Sequence, residues 1–335
     1  MSGRWICRCD SISPADNVSG SASRQAVIID CDPGIDDSIA LLWALSVPER
    51  LDVLAITTVA GNASLECTTR NARIIRELAD RPDVPIHAGC RRPLKRSQVT
   101  AGHFHGASGL GSIIMPEPVL PAETAHAAEA IVSHLHAASP DSVTLVLMGP
   151  MTNVAHAMTL DPELATRARR IVLMGGARRE GGNITASAEY NIFADPHAAQ
   201  QVFASGCPIT VLGLDATHQV RVTPERVAGM RGCNRRAATF AAELLDFTLQ
   251  LAANDHRDGG VPLHDPCTIA WLLEPTLFVT QPASIEVETE SPLTLGHTAV
   301  ELRVTTERPA NAAWTVRAAA AAIFRLMTDN IARLP

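Results

Sequence analysis

Ala26-Val27-Ile28-Ile29-Asp30-Cys31-Asp32-Pro33-Gly34-Ile35-Asp36-Asp37 joins an apolar run to four carboxylates within eight residues, and an apolar helical pattern from Ser38 to Leu45 follows. An apolar run of this kind suits a buried strand of a parallel sheet covered by helices. Pro33-Gly34 supplies the tight turn between strand and helix. The carboxylates therefore fall at the carboxyl end of a strand, where open α/β sheets bind their ligands.

Outward from that unit the chain keeps a βαβ rhythm. It predicts strands at Val53–Val59, Val84–His87, Val143–Met148, Ile171–Met174 and Ile209–Leu212. Helices are predicted at Leu65–Ala79, Ala125–Ala137 and Pro196–Ala204. The last third is less regular, with helices at Ala237–Ala252 and Pro266–Leu273, strands at Ile285–Thr289 and Val300–Thr305, and a final helix at Ala319–Leu334. The fold class expected is α/β: a mostly parallel central sheet flanked by helices, a Rossmann-like open sheet with its active site at the C-terminal strand ends. Residues 25–335 are expected to form one domain, and residues 1–24, rich in Ser, Asp and Gly, a disordered extension.

Composition narrows the function. Net charge is −7, from 35 acidic and 28 basic residues, and Lys95 is the only lysine, so no basic stripe exists to bind a nucleic-acid polymer. No segment has the length and apolarity of a membrane span or secretory signal, so no membrane partner is expected. The eight cysteines contain no C-x-x-C pair, which fits reduced thiols of a cytoplasmic protein better than a zinc site or a disulfide framework.

Four crowded carboxylates raise one another's pKa unless a cation is present, and hard oxygen donors suit Ca²⁺ or Mg²⁺. The turn can aim Asp32 and Asp37 at one point. Later strand ends add Asn62 in Ala60-Gly61-Asn62 and Asn153 in Gly149-Pro150-Met151-Thr152-Asn153. An amide serves a sugar hydroxyl as donor and acceptor, but Asn153 opens a helical pattern and is expected to cap it. The long polar segment after Met174 carries Asn183, Glu189 and Asn191, a complementary set for a polyhydroxylated ligand, while Asp195-Pro196 reads as a helix start. His264-Asp265 places a titratable pair just before another helix.

These pieces together resemble the inosine-uridine preferring nucleoside hydrolases. The resemblance rests on the D-x-D-P-G-x-D-D opening, on Ala55 to Asn62, Gly102-His103-Phe104-His105-Gly106, Val172 to Gly176, Ala188-Glu189-Tyr190-Asn191 and His264-Asp265-Pro266-Cys267, in order from Ala26 to the last helix. It implies a Ca²⁺ site made by Asp32, Asp37, Asp265 and the backbone carbonyl of Met148, where many relatives have threonine. Asp36, Asn62, Asn183, Glu189 and Asn191 would grip the ribose, and His264 would lie near the base. Relatives carry Phe where this chain has Tyr190. Homo-oligomers, dimers or tetramers, are expected.

The reaction implied is hydrolysis of a ribonucleoside to ribose and free base. Its oxocarbenium-like transition state requires a held ribose, a stabilised C1 and a nucleophile. Asp32 would take a proton from a Ca²⁺-bound water; His264 would donate a proton or hydrogen bond to the leaving base, with His105 of the Gly102–Gly111 loop closing over it. Trp5, Trp43, Trp271 and Trp314 all lie outside the two loops expected to surround the base, which favours pyrimidine nucleosides, with broad inosine/uridine specificity as the alternative. An aspartate-nucleophile phosphohydrolase also opens with D-x-D, but it fits poorly: phosphate chemistry wants a cationic clamp, usually including a lysine, and the only lysine, Lys95, lies in a variable-looking loop beside Arg96. A calcium-dependent nucleoside- or sugar-binding protein would keep the same ligands without turnover.

Overall fold

The computed structural model describes residues 24–254 and 260–335. Its strands are β1 (Gln25–Cys31), β2 (Leu51–Thr58), β3 (Ile86–Ala88), β4 (Val143–Leu147), β5 (Arg170–Met174), β6 (Ile209–Leu212), β7 (Arg221–Val222), β8 (Val261–Pro262), β9 (Phe278–Val287), β10 (Thr298–Glu301) and β11 (Ala312–Ala318). Nine of them form one sheet in the order β10-β9-β11-β6-β5-β4-β1-β2-β3, and β7 pairs with β8. From β3 across to β11 the neighbours are parallel; β9 and β10 add an antiparallel edge. This is the open, mostly parallel α/β sheet that the alternating rhythm predicts.

Both faces of the sheet are covered, as its apolar strands require. On β1, Val27, Ile29 and Cys31 join one core while Ile28 joins the other. The helix after β1 spans Ile35–Leu45 and is buried nearly all round, packed on the helices Leu65–Leu78, Arg236–Asn254 and Pro266–Leu273. It begins three residues before the predicted Ser38. The reason is local: the Asp37 carboxylate accepts from the Gly34 N–H at 3.1 Å, capping the helix and drawing Asp36 and Asp37 into its first turn.

The C-terminal third departs further from the sequence reading. The predicted strands at Ile285–Thr289 and Val300–Thr305 are parts of β9 and β10 with shifted bounds, and β11 is not among the predicted elements. It pairs in parallel with β6 at Ala313↔Thr210 and Trp314↔Val211, so the central sheet continues through it. Apart from Arg24, which pairs with Asp52 at 2.6 Å, the expected extension lies outside the described residues. Among the described residues no helix is long and apolar enough to cross a membrane.

Candidate active site

The chain adds β2 and β3 on one side of β1 and β4, β5 and β6 on the other, which leaves a crevice at the carboxyl ends of β1 and β4. Asp32 follows β1 there, fully buried. Its Oδ2 accepts from the Asn62 N–H at 2.6 Å, and its Oδ1 has no hydrogen-bond partner. Two glycines make room for it. A Cβ on Gly61 would fall 2.0 Å from Asp32 Oδ2, and one on Gly149 2.5 Å from Oδ1, so the turns after β2 and β4 can close on the carboxylate only without side chains.

Asp37 accepts from the backbone of Asp32 and Gly34, both at 3.1 Å, and from Asn62 Nδ2 at 3.0 Å. Carboxylate oxygens of Asp36, Asp37 and Asp265 lie within 4.8 Å of one another. Burial pushes the Asp32 carboxyl well above its usual range, and the charge of Asp37 adds to it. Burial and then Asp36 raise Asp37 to about 7, and the same causes lift Asp265 well above the ordinary carboxylate range. Carboxylates so crowded and desolvated stay ionised together only with a cation among them. The unpartnered Asp32 Oδ1 and the all-oxygen donor set fit a hard divalent ion, which makes this a candidate metal centre.

Above these acids opens a cavity of about 710 Å³, lined in part by Asp36, Asn62, Asn183, Glu189, Asn191 and His264. That size suits a small-molecule ligand. Met148 and Asp265 also line it, whereas Asp32 and Asp37 lie behind its wall. Glu189 caps the helix Tyr190–Ala194, accepting from Asn191 N at 3.0 Å, Ile192 N at 3.3 Å and Gly176 N at 2.9 Å. Asn191 Nδ2 donates to the Met148 carbonyl at 2.7 Å and to Met174 O at 3.2 Å. Asn183 Oδ1 accepts from Tyr190 N at 2.9 Å. Asn62, besides lining the cavity, ties Asp32 to Asp37.

His264 faces the cavity with Nδ1 2.8 Å from Thr217 Oγ1 and its ring 5.8 Å from that of His218. Burial pushes its pKa down to about 4; Asp36 works against the shift, while His218 and His105 add to it. The ring is therefore neutral at pH 7. His105 also lines the cavity, but its Nδ1 accepts from Ile35 N at 3.1 Å, which docks the one-turn helix Gly102–His105 onto the start of the helix after β1.

Two readings are corrected. Asn153 is not a cap: the N-cap of its helix is Met151, and Asn153 Nδ2 donates to Asp30 Oδ1 at 2.7 Å and Thr58 O at 3.0 Å. Asp30 is not part of the carboxylate cluster; bonded to Thr57 and Asn153, it belongs to a network beneath the site, with burial raising it to about 7. The departure at Tyr190 has a visible use, since its hydroxyl donates to Val99 O at 2.9 Å and ties the 90–101 segment to the site. Tyr190→Phe should cost about 0.5–1.5 kcal/mol, read as a lowered Tm, and leave kcat within about twofold.

A crevice at a strand-order reversal, buried acids beneath it and amides and carboxylates around it mark the ligand site of an open-sheet α/β protein that takes a small polar ligand. Residues 27–325 match the model of the family described as inosine-uridine preferring nucleoside hydrolase. The chain belongs to that family and is an N-glycosidase of ribonucleosides. It is 45% identical over 292 residues to the pyrimidine-specific ribonucleoside hydrolase RihA of Photobacterium profundum, covering 86% of this chain and 92% of the relative. An uncharacterised protein of Schizosaccharomyces pombe is 40% identical over 309 residues, 92% of this chain and 99% of the other. Among solved structures, the purine-preferring ribonucleoside hydrolase from Gardnerella vaginalis superposes with TM-score 0.86 at 32% identity, covering 92% of this chain and 98% of that one.

Proposed function

We propose that this enzyme is a Ca²⁺-dependent hydrolase preferring pyrimidine ribonucleosides, with Asp32 as general base. The carrying observation is the buried Asp32 carboxylate, one oxygen fixed by Asn62 and the other unpartnered, beside Asp37 and Asp265. Asp32, Asp37, Asp265 and the Met148 carbonyl would hold Ca²⁺, which neutralises the acids and eases the ionisation of water. Asp32 accepts the proton of the attacking water, and its fixed orientation directs attack at C1. Asp36, Asn62, Asn183, Glu189 and Asn191 hold the ribose hydroxyls.

His264 assists the departing base from the other end. In the tautomer whose Nδ1 accepts from the Thr217 hydroxyl, the imidazole carries its proton on Nε2, and this neutral ring acts as a hydrogen-bond donor rather than a full acid. His105 keeps the adjoining wall in place through Ile35. If the ribose is gripped in this way, removing its 2'-hydroxyl leaves buried groups unpaired at about 1–3 kcal/mol, a loss of roughly 5- to 150-fold in kcat/KM. Equal rates on uridine and 2'-deoxyuridine would contradict that grip.

The pyrimidine preference is supported by the walls. Trp43 and Trp314 are buried in the core, Trp271 lies beside Arg170, and Phe104 and Tyr190 are the carbocyclic rings at the cavity. No described tryptophan is there to clasp a purine. The pyrimidine-specific relatives support the same reading. kcat/KM is expected to be higher for uridine or cytidine than for inosine or guanosine, and an inosine value at or above uridine would return the chain to broad or purine specificity. The reading includes a cytoplasmic homo-oligomer; sedimentation of the purified protein tests its oligomeric state.

A further inference from the structure

A second cluster of metal-binding side chains lies away from the carboxylates. Cys90 follows β3, His126 precedes the helix Ala127–Ala137 as its N-cap, and His156 sits in the helix Thr152–Leu160. Their ligand atoms lie within 4.8 Å of one another, and all three residues are half-buried. Cys90 Sγ is 3.8 Å from His156 Nδ1, and the two imidazoles meet edge to face at 5.5 Å. His126 Nδ1 accepts from Ala128 N at 3.2 Å, which leaves Nε2 as the nitrogen it can offer.

We propose that Cys90, His126 and His156 form a site for a thiophilic divalent cation, Zn²⁺ foremost, with a fourth position open to solvent. One soft sulfur and two imidazoles are a poor donor set for Ca²⁺ and a good one for Zn²⁺. Bonds of roughly 2.3 Å to sulfur and 2.0 Å to nitrogen at a tetrahedral angle separate the two donors by about 3.5 Å. The Cys90–His156 spacing of 3.8 Å is already close to that. Binding releases the thiol proton to solvent.

The backbone around the cluster is held independently of any ion. Cys90 N–H donates to Asn153 Oδ1 at 2.8 Å, and the Cys90 carbonyl accepts from Ala60 N at 3.0 Å. A Cβ on Gly89 would lie 2.1 Å from Asn153 Oδ1, so this turn is packed against the same asparagine. Asn153 also binds Asp30, and Ala60 stands two residues before Asn62, so an ion here would brace the backbone that carries one wall of the active site.

The test uses the full chain, stripped of transition metals and then saturated with Ca²⁺ so that the carboxylates are occupied. Titration with Co²⁺ is expected to give one equivalent with a thiolate-to-metal charge-transfer band and intense tetrahedral visible bands, all displaced by Zn²⁺, with Zn²⁺ raising the Tm. Cys90→Ser should remove the charge-transfer band, His156→Ala and His126→Gln should each weaken Zn²⁺ binding at least tenfold, and Cys67→Ser should change nothing. Binding without a thiolate band, or a band that survives Cys90→Ser, overturns the proposal, as does a Zn²⁺ affinity unmoved by both histidine variants.

Discussion

Asp32→Asn should lower kcat by at least about 10³-fold and leave the fold intact. A general base contributes about 10²–10⁴. The amide cannot take up the proton of water, and it also withdraws one of the charges that would hold the cation. Folding should survive because the amide oxygen can still accept from Asn62 N–H, the bond that now reaches Asp32 Oδ2 at 2.6 Å. The substitution moreover removes a buried acid from a cluster in which Asp37 and Asp32 repel each other. Without metal the variant should therefore melt no lower than the parent. Turnover of uridine within tenfold of the parent would remove Asp32 from the role of base, whatever its circular dichroism.

The site is legible in the sequence to the extent that its chemistry is local. Asp32, Asp36 and Asp37 share one strand-turn-helix unit, so their convergence follows from the turn, and the apolar run before them places that unit at the carboxyl end of a buried strand. Asp265 lies far away in sequence, yet its position just before a helix and beside His264 marks it. What fails is the reading of residues whose meaning depends on distant partners. Asn153 has the look of a cap, but it is fully buried, and there its amide serves the Asp30 carboxyl and the Thr58 carbonyl, groups that would otherwise be left without that partner away from water.

β11 escapes the sequence for a related reason. Ala312-Ala313-Trp314-Thr315-Val316-Arg317-Ala318 runs straight into an alanine-rich helix, and its composition does not distinguish the two. Its place is set by β6 on one side and β9 on the other, with Trp314 packed so closely on Gly213 that a Cβ there would fall 2.2 Å from the indole. The Cys90, His126 and His156 cluster is invisible in the sequence because no two of its members share a motif; only the packing of two helices against the end of β3 brings them together.

Exhaustive chelation should abolish turnover, and Ca²⁺ should restore it with an affinity that falls as pH drops through about 7. Asp37 without metal takes up its proton near 7, against an ordinary value of 3.8, and burial raises Asp32 and Asp265 as well. A cation needs these groups ionised, so below that pH protons compete for the same oxygens and Ca²⁺ uptake releases protons. The sign for stability follows from the same shift. Folded-state acids with raised values bind protons more tightly than the unfolded chain, so the metal-free protein is most stable below about pH 4 on this account. It loses that contribution as pH rises through about 7. Ca²⁺ then offsets the loss, and the rise in Tm that it produces should be larger at pH 8 than at pH 6. Calorimetric titration in two buffers of different ionisation enthalpy measures the released protons directly. Unchanged turnover after chelation, with no bound metal by elemental analysis, would remove the cation from the mechanism. A Ca²⁺ affinity independent of pH between 6 and 8 would place the ion somewhere other than among Asp32, Asp37 and Asp265.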